Sequence, residues 1–219
     1  MTDATIVRAT DHLIDAMVND LRPVPRSAMA RRLAAGLTAG ALASAALLLL
    51  GIGARPDLGL VFGSAGFWAK LAFALATAAV SVHAAARLGR PDARIHGLWL
   101  LPVPFLLYLP VGISELAANP TSQWLPLLLG QGWRQCTWLV LLLSLPVYSG
   151  LWWAFRKFAP THEQATGAVA GLSSAAVSAG IYCLHCPTDT AVFALVWYTL
   201  AFGAAALLGG LAGQKSLRW

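Results

Sequence analysis

The chain has little charge and no signature of an enzyme. Only 11% of its 219 residues are charged, whereas 58% are hydrophobic and the mean hydropathy is +0.67. This composition lies far from that of soluble domains. No phosphate-binding loop, dinucleotide-binding glycine motif, HExxH or GxSxG motif occurs where its required fold could exist. The sequence therefore predicts a protein that is not an enzyme, with no catalytic residue and no required cofactor.

Polar residues are also scarce within the apolar segments. No series of Asp, Glu or Lys residues crosses the middle of these segments, which argues against a proton- or ion-coupled transporter. No internal repeat supports a transporter built from duplicated halves. The net charge of +6 comes from basic residues scattered through short loops. It indicates membrane topology rather than direct binding of nucleic acid.

Long apolar segments are what the sequence has in abundance. Six of them approach the roughly 20 residues that a helix needs to cross a bilayer, and such segments must be helical in lipid. The predicted spans are residues 33–53, 66–88, 96–114, 136–155, 166–184 and 190–212. We expect an all-α polytopic membrane protein, with a six-helix transmembrane bundle over residues 33–219. A cytoplasmic tail over residues 1–32 precedes it, too long for the charged start of an ordinary signal peptide.

The basic residues distinguish the two faces of the predicted bundle. Arg55, Lys70 and Arg134 fall on one side, and the other twelve of the 15 Lys and Arg residues fall on the opposite side. Basic loops tend to stay in the cytoplasm. We therefore expect the more basic side, which carries both termini, to be cytoplasmic.

Small residues recur at helix-packing spacing in the predicted spans. The three motifs are Gly36-x-x-x-Gly40, Gly167-x-x-x-Gly171 and Gly209-x-x-x-Gly213. Such spacing lets two helices approach closely. We expect packing inside the bundle, and a homo-oligomer seam is the alternative.

An amphipathic helix is predicted within the tail. Its apolar residues recur at three- and four-residue spacing, with Thr10 or Asp11 as N-cap and Pro23 and Pro25 ending it after Leu21 or Arg22. The apolar face comprises Leu13, Ile14, Met17, Val18 and Leu21. This face can dock in a partner's groove. The alternatives are that it lies on the membrane surface or packs under the bundle.

All three cysteines fall at the predicted outer ends of spans four and five. In a bacterium that side is oxidising, so the thiols can pair or meet incoming metals and oxidants. Because these spans are antiparallel neighbours, we favour Cys136 and Cys183 as the sensing pair. Cys183-x-x-Cys186 is by itself a weak redox motif, and Pro187 moves Cys186 out of helical geometry. The alternative is that each cysteine is simply a small apolar residue in a membrane helix.

Several neighbours of the thiols are candidate metal ligands. Cys183, His185, Cys186 and Asp189 could supply the four ligands that zinc prefers, although no second paired motif supports this. Glu115 and Asp189 would attract cations to the thiols, or they are solvated at the interface and Asp189 caps its helix. We expect Lys70 to extend its amine to the interface.

Three passages together resemble the NrsF family. Residues 11–24, with Leu13-Ile14, Asp20-Leu21 and Pro23-Val24, resemble the family's opening. Residues 182–187, followed by Phe193 and Trp197-Tyr198, resemble its cysteine-bearing stretch before the last helix. Gly209-Gly210 and the terminal Leu217-Arg218-Trp219 resemble its ending.

The resemblance implies a six-span negative regulator, an anti-sigma factor, of the bacterial inner membrane. Such a protein holds a sigma factor of the extracytoplasmic-function (ECF) type at the inner surface and releases it when metal or oxidant acts on two outer cysteines. By position these map onto Cys136 and Cys183, with Cys186 as an alternate. A metal ion would be a transient signal, with Cys136, Cys183, His185, Cys186, Glu115 and Asp189 as its candidate ligands.

The resemblance also implies a sigma-factor-binding segment in the tail. Its residues would be Leu13, Ile14, Met17, Val18, Asp20, Leu21 and Pro23. The alternative function is a membrane thiol–disulfide oxidoreductase that passes electrons from Cys183-x-x-Cys186 to a quinone. Such enzymes usually relay electrons through a second cysteine pair, whereas only Cys136 is left over here.

Overall fold

The computed structural model describes residues 3–19, 27–90, 95–158 and 160–216. No β-strand occurs in these ranges, and the all-α prediction is confirmed. The α-helices are α1 (Asp3–Asn19), α2 (Ala28–Leu47), α3 (Leu58–Val61), α4 (Ala65–Leu88), α5 (Val103–Ala118), α6 (Trp124–Leu129), α7 (Trp133–Phe155), α8 (Glu163–Tyr182), α9 (Ala191–Phe193) and α10 (Thr199–Ser216). Wider π-helical turns at Leu48–Ile52 and Ala194–Tyr198 extend α2 and join α9 to α10.

Six helical segments among the described residues are long and apolar enough to cross a membrane. They are Ala28–Ile52, Ala65–Leu88, Leu98–Ala118, Thr121–Phe155, Glu163–Tyr182 and Ala191–Ser216. The predicted number and order of spans are therefore confirmed. The fourth segment begins earlier than predicted because the short helix α6 leads into α7. Gly130 and Gly132 separate these two helices with φ of +54° and +91°, a conformation that favours glycine.

The bundle is built on backbone contacts between small residues. Helix α8 packs against α4, α7 and α10. Gly167 of α8 lies against the backbone of Gly209, and Gly171 lies against that of Ala205, so that a methyl group at either glycine would collide with α10. Gly36 of α2 lies in the same way against Gly150 of α7. All three glycine motifs are thus used inside the bundle, as expected, rather than at an exposed seam.

The alternating helices give the bundle two ends. At one end Gly89 lies beside Met29 and Phe155, and Gly213 lies beside the backbone of Glu163. This end also carries Arg32, Arg87, Arg156 and Lys215, and we call it the basic end. The other end carries Cys136, Cys183 and Cys186 with the loops around residues 53–64, 119–132 and 183–190, and we call it the cysteine end.

The N-terminal helix is longer at its start than the sequence predicts. Helix α1 begins at Asp3, so the prediction that Thr10 or Asp11 is its N-cap was wrong. No glycine or proline occurs between Asp3 and Asp11, and nothing there interrupts helix propagation. The predicted end at Leu21 or Arg22 lies outside the described residues.

Candidate functional site

The cysteine end brings all three thiols into the protein interior. Cys136 lies in the first turn of α7, Cys183 directly follows α8, and Cys186 lies in the next turn. The backbone N–H of Cys186 donates to Tyr182 O at 3.0 Å and continues the helical turn up to Pro187. The exposed fraction of each cysteine is 0%. A reagent can therefore reach these thiols only if this end opens locally.

The thiols have different partners. The strongest electrostatic interaction of Cys136 is with Cys186, and that of Cys186 is with Cys136. Cys186 Sγ also lies 3.5 Å from the Thr188 carbonyl oxygen, to which it donates. Cys183 Sγ instead lies 3.6 Å from Tyr198 Oη. Cys136 is thus coupled most strongly to Cys186, the thiol that the sequence pattern left as an alternate.

A buried ion pair lies beside the thiols. Lys70 has an exposed fraction of 0%, and its Nζ donates to Asp189 Oδ1 at 2.8 Å and to Thr188 O at 2.7 Å. The expectation that Lys70 extends to the interface was wrong. Asp189 supplies a counter-ion at the same depth, and a buried charge is tolerated when it is paired and hydrogen-bonded.

Arg55 connects the loop after the first span to the same carboxylate. Its Nη1 donates to Asp189 Oδ2 at 3.0 Å and to Cys186 O at 2.9 Å, and its Nε donates to Asp57 Oδ1 at 2.8 Å. The hydrogen bond from Arg55 holds the pKa of Asp57 below its usual value, and the two carboxylates raise that of Arg55. The sequence pattern did not indicate this role of Arg55. One signal was present in the sequence. Lys70 and Arg55 are predicted at the same end of the bundle, and this end has few carboxylates with which they could pair.

The charge of Lys70 also affects Cys186. The neighbouring Cys136 thiol is the main cause that lowers the pKa of Cys186. Lys70 acts in the same direction, and burial opposes both. Of the three cysteines, Cys186 therefore has the environment that best accommodates a thiolate.

The segment that carries these groups is tied to three parts of the bundle. We call residues 183–190 the junction loop. Thr188 Oγ1 donates to Gln131 O and accepts from Gln131 N, both at 3.0 Å, and Thr190 Oγ1 donates to Leu127 O at 3.1 Å. Together with the Arg55 and Lys70 contacts, these bonds link the junction loop to spans one, two and four.

The remaining predicted ligands have protein partners. Glu115 Oε2 accepts a hydrogen bond of 2.8 Å from the backbone N–H of Val192, near the start of the last span. This carboxylate stabilises a helix N-terminus. His185 Nδ1 lies 2.8 Å from Gly53 O. Within the described ranges, no three His, Cys, Asp or Glu residues are grouped so that they could hold a metal ion. A metal at these thiols would therefore need a rearranged site.

The basic end leads to the predicted binding helix, whose apolar face is open. In α1 the exposed fractions are 57% for Leu13, 51% for Ile14, 63% for Met17 and 58% for Val18. Exposed apolar side chains that form one face of a helix are suited to binding. The other predicted residues of this segment, Asp20, Leu21 and Pro23, lie outside the described residues.

The fold defines a helical protein with six segments able to cross a membrane, an exposed apolar helix face and an enclosed thiol cluster. The chain belongs to the NrsF family, because the sequence model of that family, described as "Negative regulator of sigma F", matches residues 17–219. The resemblance seen in the sequence is thereby confirmed. The family description is that of a negative regulator whose partner is a sigma factor.

Two relatives agree with this assignment. The chain is 37% identical over 212 residues to the anti-sigma-F factor NrsF of Caulobacter vibrioides (strain NA1000 / CB15N), with 96% of this chain and 99% of the relative covered. It is 36% identical over 216 residues to the probable anti-sigma-F factor NrsF of Azospira oryzae (strain ATCC BAA-33 / DSM 13638 / PS), with the same coverage of 96% and 99%. No solved structure matches the chain significantly.

Proposed function

We propose that this chain is an anti-sigma factor of the bacterial inner membrane that holds an ECF-type sigma factor at the cytoplasmic face. It releases the sigma factor when metal or oxidant reaches its thiols from the periplasmic side. The observation that carries this proposal is the division of the molecule: an exposed apolar helix at the basic end and a buried thiol contact at the cysteine end. The excess of basic residues on the side of the termini supports a cytoplasmic position for that side.

The apolar face of α1 is the proposed sigma-binding surface. Leu13, Ile14, Met17 and Val18 follow the i, i+1, i+4, i+5 spacing that aligns side chains on one helix face. Each is more than half exposed, so their burial in a groove of the partner would remove apolar surface from water. His12 lies on the opposite face of the same helix, at about 100° per residue.

A pair of matched substitutions tests this surface. Met17→Asp places a charge within the proposed interface, and we expect it to lower recovery of the sigma factor with full-length tagged protein at least about tenfold. His12→Asp introduces the same side chain on the other face and should leave recovery unchanged. Quantitative mass spectrometry of ECF-type sigma factors in the purified complex measures both. If Met17→Asp and a deletion of residues 1–25 both retain the sigma factor, α1 is not the binding element.

The proposed sensing pair is Cys136 with Cys186, and Cys183 is the alternate partner. An oxidant such as hydrogen peroxide would take two electrons and two protons from the thiols, leaving one disulfide and two waters. A soft metal ion would instead displace the thiol protons. Either reaction removes the Cys186 thiol hydrogen that now points to Thr188 O. The junction loop thereby loses a contact, and its links to spans one, two and four offer a route to the basic end.

Single serine substitutions test the sensing model. We expect Cys136→Ser and Cys186→Ser to abolish induction of a sigma-dependent reporter by peroxide or cadmium, whereas Cys183→Ser retains it. Repression without stress should persist in all three, which shows that each variant folds and binds. Loss of induction in Cys183→Ser but not in Cys186→Ser would assign the pair to Cys136 and Cys183. Unchanged induction in all three variants would contradict thiol sensing altogether.

A further inference from the structure

A groove lies between α7, α8 and α10 on the outer surface of the bundle. Its cavity of about 440 Å³ falls in the size range of ligand sites. Three large side chains form its rim and are open to the surroundings, with exposed fractions of 73% for Trp138, 52% for Leu142 and 61% for Leu208. In a membrane these residues face lipid, so the groove is open to the bilayer.

The groove exists because its floor consists of small residues. Helices α8 and α10 meet at Gly171 and Gly209, and these positions project no side chain into the space beside α7. The floor hydroxyls are bonded within their own helices, Ser144 Oγ to Leu141 O at 2.7 Å and Ser174 Oγ to Gly171 O at 2.8 Å. The floor therefore offers almost no free polar group, which suits a hydrocarbon chain better than a polar solute.

The groove adjoins a further cavity at the basic end, where polar side chains join the lining. A second cavity of about 370 Å³ is lined by Tyr148 and Ala212, which also line the first, and by Trp152, Lys215 and Ser216. Trp152 Nε1 donates to Ser216 Oγ at 3.0 Å.

The mouth of the groove is cationic. The Arg156 guanidinium carbon lies 4.9 Å from the centre of the Trp152 ring, and Lys215 lines the second cavity together with this tryptophan. The cationic mouth thus lies at the end of an apolar channel, at the depth where lipid headgroups lie.

We propose that this groove binds an anionic phospholipid, with an acyl chain between α7 and α10 and the phosphate between Lys215 and Arg156. From Trp152 to Trp138 the lining extends roughly 21 Å along α7 at 1.5 Å per residue. This exceeds half of a roughly 30 Å hydrocarbon core, so a chain anchored at the basic end can occupy it. Basic pockets between transmembrane helices are known to take anionic headgroups.

The mouth argues against a second copy of the chain as the occupant. A symmetric dimer in a membrane places the same patch of both copies together at one depth. Lys215 and Arg156 of one copy would then face those of the other, and like charges repel. An anionic headgroup instead neutralises both cations.

Lipid titration of the full-length protein tests the proposal. Delipidated protein in mild detergent is titrated with phosphatidylglycerol or phosphatidylcholine and analysed by native mass spectrometry. We expect one tight phosphatidylglycerol site and weaker binding of phosphatidylcholine. Lys215→Gln should lower phosphatidylglycerol affinity roughly fivefold with no change for phosphatidylcholine. Arg87→Gln, which removes an exposed cation of α4 at the same end, should change neither.

A variant that fills the groove separates it from other lipid contacts. Ala212→Trp occupies the segment shared by the two cavities and should abolish the tight site for both lipids, with circular dichroism and size exclusion confirming its fold. Equal binding of the two lipids, or full phosphatidylglycerol binding by both Lys215→Gln and Ala212→Trp, would overturn the proposal. If the purified protein retains a quinone in place of phospholipid, the occupant of the groove is a quinone. If the protein is a dimer that Ala212→Trp dissociates, the occupant is a second copy of the chain.

Discussion

The two ends of the bundle are held together by different interactions. At the cysteine end, polar side chains connect loops that are distant in sequence: Lys70 and Arg55 share Asp189, and Thr188 bonds the backbone of Gln131. At the basic end, glycines bring helix backbones into contact, as at Gly36 and Gly150. The cysteine end thus adds directional contacts between loops to its packed apolar core, whereas close backbone contacts between glycines distinguish the basic end.

This difference matters for the proposed relay. The thiols are fully enclosed, so their chemistry alters a closely connected loop arrangement. At the basic end, the half-buried Arg32 stacks 4.4 Å from the Trp153 ring, and the exposed Arg156 stacks on Trp152. The enclosed end is suited to responding to a signal, and the open end is suited to holding a partner.

The largest expected effect is from removing the counter-ion of Lys70. Asp189→Asn leaves a buried ammonium without its carboxylate and should cost about 3–5 kcal/mol of stability. Asp57→Asn, on the exposed side of Arg55, should have a much smaller effect because Arg55 retains Asp189. Thermal unfolding in detergent compares the two variants. Lys70→Met combined with Asp189→Asn should recover part of the loss, and a double variant that is no more stable than Asp189→Asn would contradict this pairing.

A smaller loss is expected from separating two helices at the basic end. Gly36→Ala places a methyl group against the backbone of Gly150, and such overpacking costs about 1–3 kcal/mol. Gly203→Ala is the matched control, because a methyl group there meets no atom within 4 Å. The same unfolding measurement applies to both. Equal stability of the two variants would show that the close approach of α2 and α7 is not required.

The next effect in size concerns the link between the junction loop and the segment before α7. Thr188→Val removes both hydrogen bonds to Gln131 and should cost about 1–2 kcal/mol. Thr190→Val removes the one bond to Leu127 and should cost less. Hydrogen exchange at Gln131 gives a local measurement, with faster exchange expected in Thr188→Val only. Unchanged protection of this amide would remove the proposed link to span four.

The smallest effect on stability is expected at the tail. There a substitution should change partner binding without changing the free energy of unfolding, unlike a substitution at the cysteine end. Met17→Asp alters an exposed residue and should change the free energy of unfolding by no more than about 0.5 kcal/mol. It should nevertheless release the sigma factor. A substantial loss of stability in unfolding measurements of the isolated protein would mean that α1 packs on its own bundle.

Much of the architecture was predictable because membrane helices are encoded locally. A run of apolar residues must form a helix in lipid wherever it occurs, so the six spans and the common end of the three cysteines followed from the sequence. The start of α1 did not, because a cap residue at Thr10 or Asp11 is only a preference, and the sequence before it also favours a helix.

The site was less predictable because its contacts join distant residues. Lys70 and Asp189 are 119 positions apart, and helix spacing within either segment cannot show that they meet. The pairing of Cys136 with Cys186 was not predictable either. The backbone turn after α8 decides whether Cys183 or Cys186 approaches α7, and the position of each thiol along span five does not show this. The charges of Arg55 and Lys70 were visible in the sequence, but their partners were not.

The sequence by itself determined the class of the molecule: six apolar helices, an unequal distribution of basic residues, an amphipathic tail and three thiols at one end. These properties depend on composition and on periodicity within single segments. Only the tertiary structure decided which thiols touch, which carboxylate neutralises Lys70 and where a groove remains open between α7, α8 and α10. Those outcomes depend on how helices approach one another, and that approach is set by pairs of small residues on different segments.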